Sequence, residues 1–160
     1  MSLIAPILSR LNVIAESDAT SKKRVFEEAA WLFETQQGLA PDLVFEKLFA
    51  RERLGSTGLG HGVAIPHCRI DGLNEVVGAF IRLITPIAFG AFDEQSVRLI
   101  FILLVPCNAN DTHLQILAEL AQMLSNPTFR NQLIAAADAD TLHALLTDWR
   151  TDPENDTLTG

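Results

Sequence analysis

The segment from Val97 to Val105 reads Val-Arg-Leu-Ile-Phe-Ile-Leu-Leu-Val, apolar at every position except Arg98. A half-exposed strand alternates apolar and polar residues. A near-continuous run bounded by turn signals instead reads as a strand buried on both faces. The run is far below the ~20 residues needed to cross a bilayer. Such a strand demands a covering layer on each side, so the rest of the chain must supply helices for both.

Helical patterns occur on either side of it. After the capping candidates Thr20 and Ser21, the residues Val25, Ala29, Leu32 and Phe33 recur at helical spacing, with Glu27, Glu28 and Glu34 on other faces, and Gly38 closes the segment. Pro41 opens a second helix whose stripe is Val44, Phe45, Leu48 and Phe49, running to Gly55. From Asp111 or Thr112 a third helix carries Leu114, Leu117, Leu120, Ala121 and Leu124. Asn126-Pro127 restarts the chain as cap and first turn of a fourth, and a last helix opens near Asp140 with Leu142, Leu145, Leu146 and Trp149. Between the helical halves, Val63-Ala64-Ile65, the segment around Val77 to Leu83, and Val97 to Val105 read as strands, with a turn at Phe92-Asp93-Glu94-Gln95. The pattern is helix, helix, three or four strands, then three helices. It predicts one α/β domain over residues 1–150, a mixed β-sheet flanked by helices on both faces, and a polar, disordered tail over 151–160.

Charge excludes two classes of partner. The chain of 160 residues carries 12 Lys+Arg against 20 Asp+Glu, a net charge of −8, and has no basic cluster beyond Lys22-Lys23-Arg24. Neither a nucleic-acid backbone nor an anionic membrane surface suits such a body. The first eleven residues are broken by Pro6, Ser9 and Arg10 and lack the charged leader and cleavage site of a signal peptide, which predicts a cytoplasmic protein. The two cysteines, Cys68 and Cys107, form no framework and no C-x-x-C pair, and read as reduced thiols.

Chemistry points to one histidine. His67 follows Pro66, which forces Ile65 to be extended and presents the imidazole in a fixed direction at the end of the strand. Just before it lies Gly-Ser-Thr-Gly-Leu-Gly-His-Gly, residues 55–62, a loop of the kind that brings backbone N–H groups close to an anion. Ser56 and Thr57 add hydroxyls, and Arg51, Arg53 and Arg69 add cations. Phosphoryl transfer uses this set: a neutral nitrogen nucleophile with donors for the phosphoryl oxygens. The loop lacks the Lys-Ser/Thr of a P-loop and precedes a strand, so neither nucleotide fingerprint applies. By spacing alone the signal is weak, and a strand-end histidine after an ordinary Gly-rich turn is the favoured reading. A metal site built on His61, His67, Cys68 and His113 is disfavoured, because His67 and Cys68 are adjacent on a strand and point to opposite faces. Cys107 carries no cue for an activated thiolate, and His61 and His143 read as incidental and structural.

Four segments carry a family resemblance: Arg51-Glu52-Arg53-Leu54-Gly55-Ser56-Thr57-Gly58, Gly62-Val63-Ala64-Ile65-Pro66-His67, Leu103-Leu104-Val105-Pro106 and Thr112-His113-Leu114. Together they resemble the IIA phosphocarriers of the bacterial phosphotransferase system, of the fructose/mannitol class and its nitrogen-regulatory branch. The resemblance implies that His67 accepts a phosphoryl group from an HPr-like histidine phosphocarrier, without cofactor, and that phosphorylation state governs binding to regulatory target proteins. It also implies that Arg51 binds phosphoryl oxygens, that His113 is the second histidine of the site, and that Ser56, Thr57 and Gly58 support the phosphate. Two other readings stay open: a detached sugar-specific IIA protein passing phosphate to a IIB partner, and a binding module that is never phosphorylated. One departure stands out, since the family usually has Gly where this chain has Cys68; a side chain there raises the question of whether a glycine conformation is needed.

Overall fold

The computed structural model describes residues 2–108 and 111–150. Short 3-10 turns at Ala5–Ile7 and Arg10–Asn12 lead into β1 (Val13–Ser17). The helices α1 (Lys22–Gln37) and α2 (Pro41–Arg53) follow, then β2 (Gly58–Gly60), β3 (Val63–Ala64) and β4 (His67–Ile70). Two long strands, β5 (Val77–Ile87) and β6 (Val97–Pro106), precede α3 (Asp111–Ser125), α4 (Pro127–Ala135) and α5 (Ala139–Asp148).

The expected helix boundaries follow from local chemistry. The Ser21 side chain accepts from the Arg24 N–H, and Gly38 closes α1 in the left-handed region at φ 70°, where a side chain would be strained. Pro41 starts α2, whose last turn carries Arg51 and Arg53 against the negative end of the helix dipole. Asn126 caps α4 through Phe129 N–H at 3.0 Å. The last helix is capped by Asp138, two residues before the expected start, because its carboxylate accepts from both the N–H and the hydroxyl of Thr141.

The six strands form one mixed sheet in the order β1-β5-β6-β3-β2, with β4 also on β6. β5 runs antiparallel to β6, whereas β1 is parallel to β5, and β3 and β4 are parallel to β6. The sequence pattern predicts three or four strands and does not mark β1, β2 and β4 as separate elements. β1 is five residues long with a half-exposed centre and ends in Glu16-Ser17, too short and mixed to alternate visibly. β3 and β4 share one register along β6: Ala64 faces Ile100 and His67 faces Leu103. They are one path interrupted at Ile65-Pro66, where proline has no N–H to donate, while the Pro66 carbonyl still accepts from Leu103 N–H at 2.9 Å. His67 therefore begins a strand segment rather than ending one.

As the run from Val97 to Val105 required, β6 is covered on both faces. Ile100, Ile102 and Leu104 pack with α1 and α2 residues such as Phe26, Phe33 and Leu48. Leu99, Phe101, Leu103 and Val105 pack on the other side with Ile116, Leu120, Leu133 and Leu146 from α3, α4 and α5. Arg82 of β5, only 5% exposed, bonds the two layers' edges together. Its guanidinium donates to the carbonyls of Ala15 on β1 and of Leu133, Ile134 and Ala136 at the end of α4, satisfying acceptors a helix terminus leaves open. The tail from Thr151 lies outside the described residues.

Candidate active site

The site is assembled where the C-terminal end of α2 meets the β3-β4 interruption and the start of α3. On α2, Lys47, Ala50, Arg51 and Leu54 fall at i, i+3, i+4 and i+7 and so share one face. That face, with His67, Cys68 and Arg69 of β4, Val105 of β6 and His113 of α3, lines a pocket of about 400 Å³. Three residues separated by up to 62 positions in the sequence, Arg51, His67 and His113, thus line one pocket.

His67 Nδ1 lies 2.9 Å from the Ile65 carbonyl oxygen. A carbonyl only accepts, so Nδ1 carries the proton and the neutral ring keeps its free lone pair on Nε2. Pro66 favours this contact by keeping Ile65 extended, so that the Ile65 carbonyl lies two residues before the ring it meets. Burial lowers the His67 pKa, and the charge of Arg51 lowers it further; the Ile65 hydrogen bond and Glu52 act in the opposite sense but do not offset the fall. Burial also lowers the His113 pKa, with help from His67 and Arg69. Both imidazoles are thereby held neutral at pH 7. His113 Nε2 is buried and has no hydrogen-bond partner among the described residues.

The Gly-rich loop serves a different purpose from the one its composition suggests. Thr57 is buried, its N–H and hydroxyl both donating to the Glu52 carboxylate at 3.1 and 2.7 Å. The Ser56 hydroxyl donates to Phe89 O at 2.8 Å and accepts from Gly58 N–H. A Cβ at Gly58 would sit 2.8 Å from that of Ala91. Ser56 and Gly58 meet the β5-β6 connection, Thr57 ties the loop to α2, and none of the three lines the pocket with His67. Arg53 lines a neighbouring groove with Lys23, Phe45 and Phe49 rather than the pocket.

Sequence reasoning missed the group that anchors this loop. Glu52 is 7% exposed and accepts from Lys22 Nζ at 3.0 Å as well as from Thr57, while Lys22 also donates to Phe89 O. The available signal was its place on the apolar stripe of α2, four residues after Leu48. Cys68 packs into the α1/α2 core and keeps a negative φ, so this position needs no glycine conformation. Burial pushes its thiol pKa up to about 12. Cys107 is exposed and donates to the Asp71 carboxylate, and His143 bonds the Leu8 carbonyl.

Comparison with known proteins adds to this geometry. Residues 6–149 match the family described as "Phosphoenolpyruvate-dependent sugar phosphotransferase system, EIIA 2". The nitrogen regulatory protein of Escherichia coli K12 is 39% identical over 152 residues, covering 94% of this chain and 93% of the relative. That of Pseudomonas aeruginosa is 42% identical over 129 residues, covering 80% and 84% respectively. Among solved structures, the nitrogen regulatory protein IIA-Ntr of Neisseria meningitidis superposes with a TM-score of 0.87 at 49% identity, over 91% of this chain and 100% of that one. The mannitol IIA of Escherichia coli shares the fold, with a TM-score of 0.72 at 21% identity over 86% of this chain and 97% of that one.

Proposed function

Because the chain belongs to the EIIA 2 family of the phosphotransferase system and is similar to its nitrogen-regulatory members, we propose that it is a regulatory phosphocarrier that accepts a phosphoryl group on His67 Nε2. The observation that carries this reading is the Nδ1 hydrogen bond to Ile65, which leaves Nε2 as the free nucleophile in a pocket whose charged lining residues, Lys47, Arg51 and Arg69, are all cations. The donor is the phosphohistidine of an HPr-like carrier. The Nε2 lone pair forms the new N–P bond while the bond from phosphorus to the donor's ring nitrogen breaks, and that electron pair stays on the donor imidazole. Negative charge on the three equatorial oxygens is met by the Arg51 guanidinium, whose paired N–H groups suit a phosphoryl edge. His113 Nε2, buried and unpartnered, donates to a further oxygen, and the α3 N-terminus adds favourable field.

Phosphorylation puts about two negative charges on a surface whose local cations otherwise face solvent. Target proteins that contact this face discriminate between the two states by that change. The exposed Leu54, 85% accessible at the pocket rim, supplies apolar contact area there.

The test is incubation with phosphoenolpyruvate, the system's first enzyme and its HPr-like carrier. Wild type gains an acid-labile phosphate that His67→Ala lacks, and Arg51→Ala acquires it at least tenfold more slowly, the equivalent of about 1.4 kcal/mol of transition-state stabilisation. A wild-type protein that stays unlabelled refutes the carrier reading.

A further inference from the structure

The cations around His67 are not equivalent. Arg51 ties one guanidinium nitrogen to the Gly55 carbonyl at 2.9 Å, and Arg69 ties one to the Cys107 carbonyl at 2.8 Å. Lys47 lines the same pocket, yet no hydrogen bond or ion pair engages its ammonium among the described residues. Its place is set by the helix: one turn before Arg51 on α2, it projects from the same face.

A phosphoryl group on Nε2 presents three oxygens. The Arg51 fork covers an edge of two, and it does so while one of its nitrogens is held by Gly55. Arg69 is likewise partly spent. An uncommitted ammonium on a flexible four-carbon stem gives up no existing bond when it moves onto the remaining charge.

We propose that Lys47 is a third phosphoryl-binding residue of this site, its ammonium closing on an oxygen of the group transferred to His67. The inference rests on the phosphoacceptor reading above and extends it to a side chain outside the motifs that carry the family resemblance. Lys47 also borders the neighbouring groove, so neutralising it removes a cation from both surfaces at once.

The experiment compares wild type, Lys47→Gln, Lys47→Arg and the groove variant Lys23→Gln, each with two phosphoryl sources. One is the HPr-like carrier. The other is phosphoramidate, whose N–P bond breaks with release of ammonia and which needs no protein docking. Lys47→Gln is expected to slow labelling of His67 by about fivefold with both sources, the effect of one solvent-exposed cation on a doubly charged group. In ³¹P NMR it should also raise the midpoint at which the phosphohistidine gains its proton, because the dianion loses a counter-charge. Lys47→Arg should restore most of both effects, and Lys23→Gln should behave as wild type. Wild-type rates and midpoint in Lys47→Gln overturn the inference. So does a defect confined to the protein donor with an unmoved midpoint, which assigns Lys47 to docking. If wild type takes no phosphate from either source, the phosphoacceptor reading falls first and this one with it.

Discussion

Replacing Glu52 by Gln tests whether the site is held by one buried carboxylate. Oε1 accepts from Lys22 Nζ at 3.0 Å and from Thr57 N–H at 3.1 Å, and Oε2 accepts from the Thr57 hydroxyl at 2.7 Å. A glutamine keeps one acceptor oxygen for the Thr57 N–H, and the hydroxyl can reverse to accept from the new amide. What it cannot keep is charge: Lys22 loses its ion pair and is left with neutral partners, the amide oxygen, the Phe89 carbonyl at 2.9 Å and the Phe89 ring at 4.4 Å. Breaking a buried ion pair costs about 3–5 kcal/mol, but the Lys22 side chain is 25% exposed, so water compensates part of it. The expected loss is about 2 kcal/mol, or about 5 °C in Tm for a chain of this length. Glu52→Ala should cost about 4 kcal/mol, since it also strands the Thr57 N–H and hydroxyl. Urea titration followed by circular dichroism measures both. A second readout is the NMR titration of His67, whose pKa should fall further in Glu52→Gln because a charge that raises it is gone. Stability of Glu52→Gln within about 0.5 kcal/mol of wild type would refute the anchoring role.

Other perturbations follow from the same structure. Arg82→Met removes four contacts to carbonyls and leaves the end of α4 open; it should destabilise by about 3 kcal/mol in thermal melts, and a cost under 1 kcal/mol would mean water replaces the guanidinium. The lowered pKa of His67 keeps Nε2 unprotonated to lower pH than in an ordinary imidazole, so phosphoryl acceptance should fall less between pH 7 and pH 6 than the titration of a histidine at 6.5 would give. For stability the sign is equally definite. Above pH 6.5 both states hold neutral imidazole, and as pH falls the unfolded chain takes protons first, so stability is lost as pH drops through the folded values. The His67→Gln/His113→Gln double variant should show a smaller loss in urea midpoint over that interval. Cys68→Gly should cost about 1–2 kcal/mol, from a vacated core position in a strand, without slowing labelling of His67; a slower rate would show that the thiol side chain shapes the pocket.

Caps and stops were legible because they are local: Ser21, Gly38, Pro41 and Asn126 act through bonds spanning four residues or fewer. β1 was not, because a five-residue edge strand is defined by its pairing with β5, 67 positions away at the Val13–Phe80 match. The partners of the Gly-rich loop were not legible for a related reason. Its composition permits a phosphate cradle, but Ser56 and Thr57 found partners at Phe89 and Glu52 first, and a hydroxyl already donating inside the protein is not free for a ligand.

By itself the sequence determined that β6 would lie between two helical layers, because nine nearly unbroken apolar positions cannot face water on either side. It also singled out His67, Arg51 and His113 through short motifs. Only the tertiary structure decided the rest: that α2 turns Lys47 and Arg51 toward His67 while sending Arg53 into another groove, that Glu52 is buried, and that Ile65 holds the Nδ1 proton so that Nε2 is the free nitrogen. Direction and partnership of side chains depend on what the fold brings beside them, and no spacing along the chain encodes that.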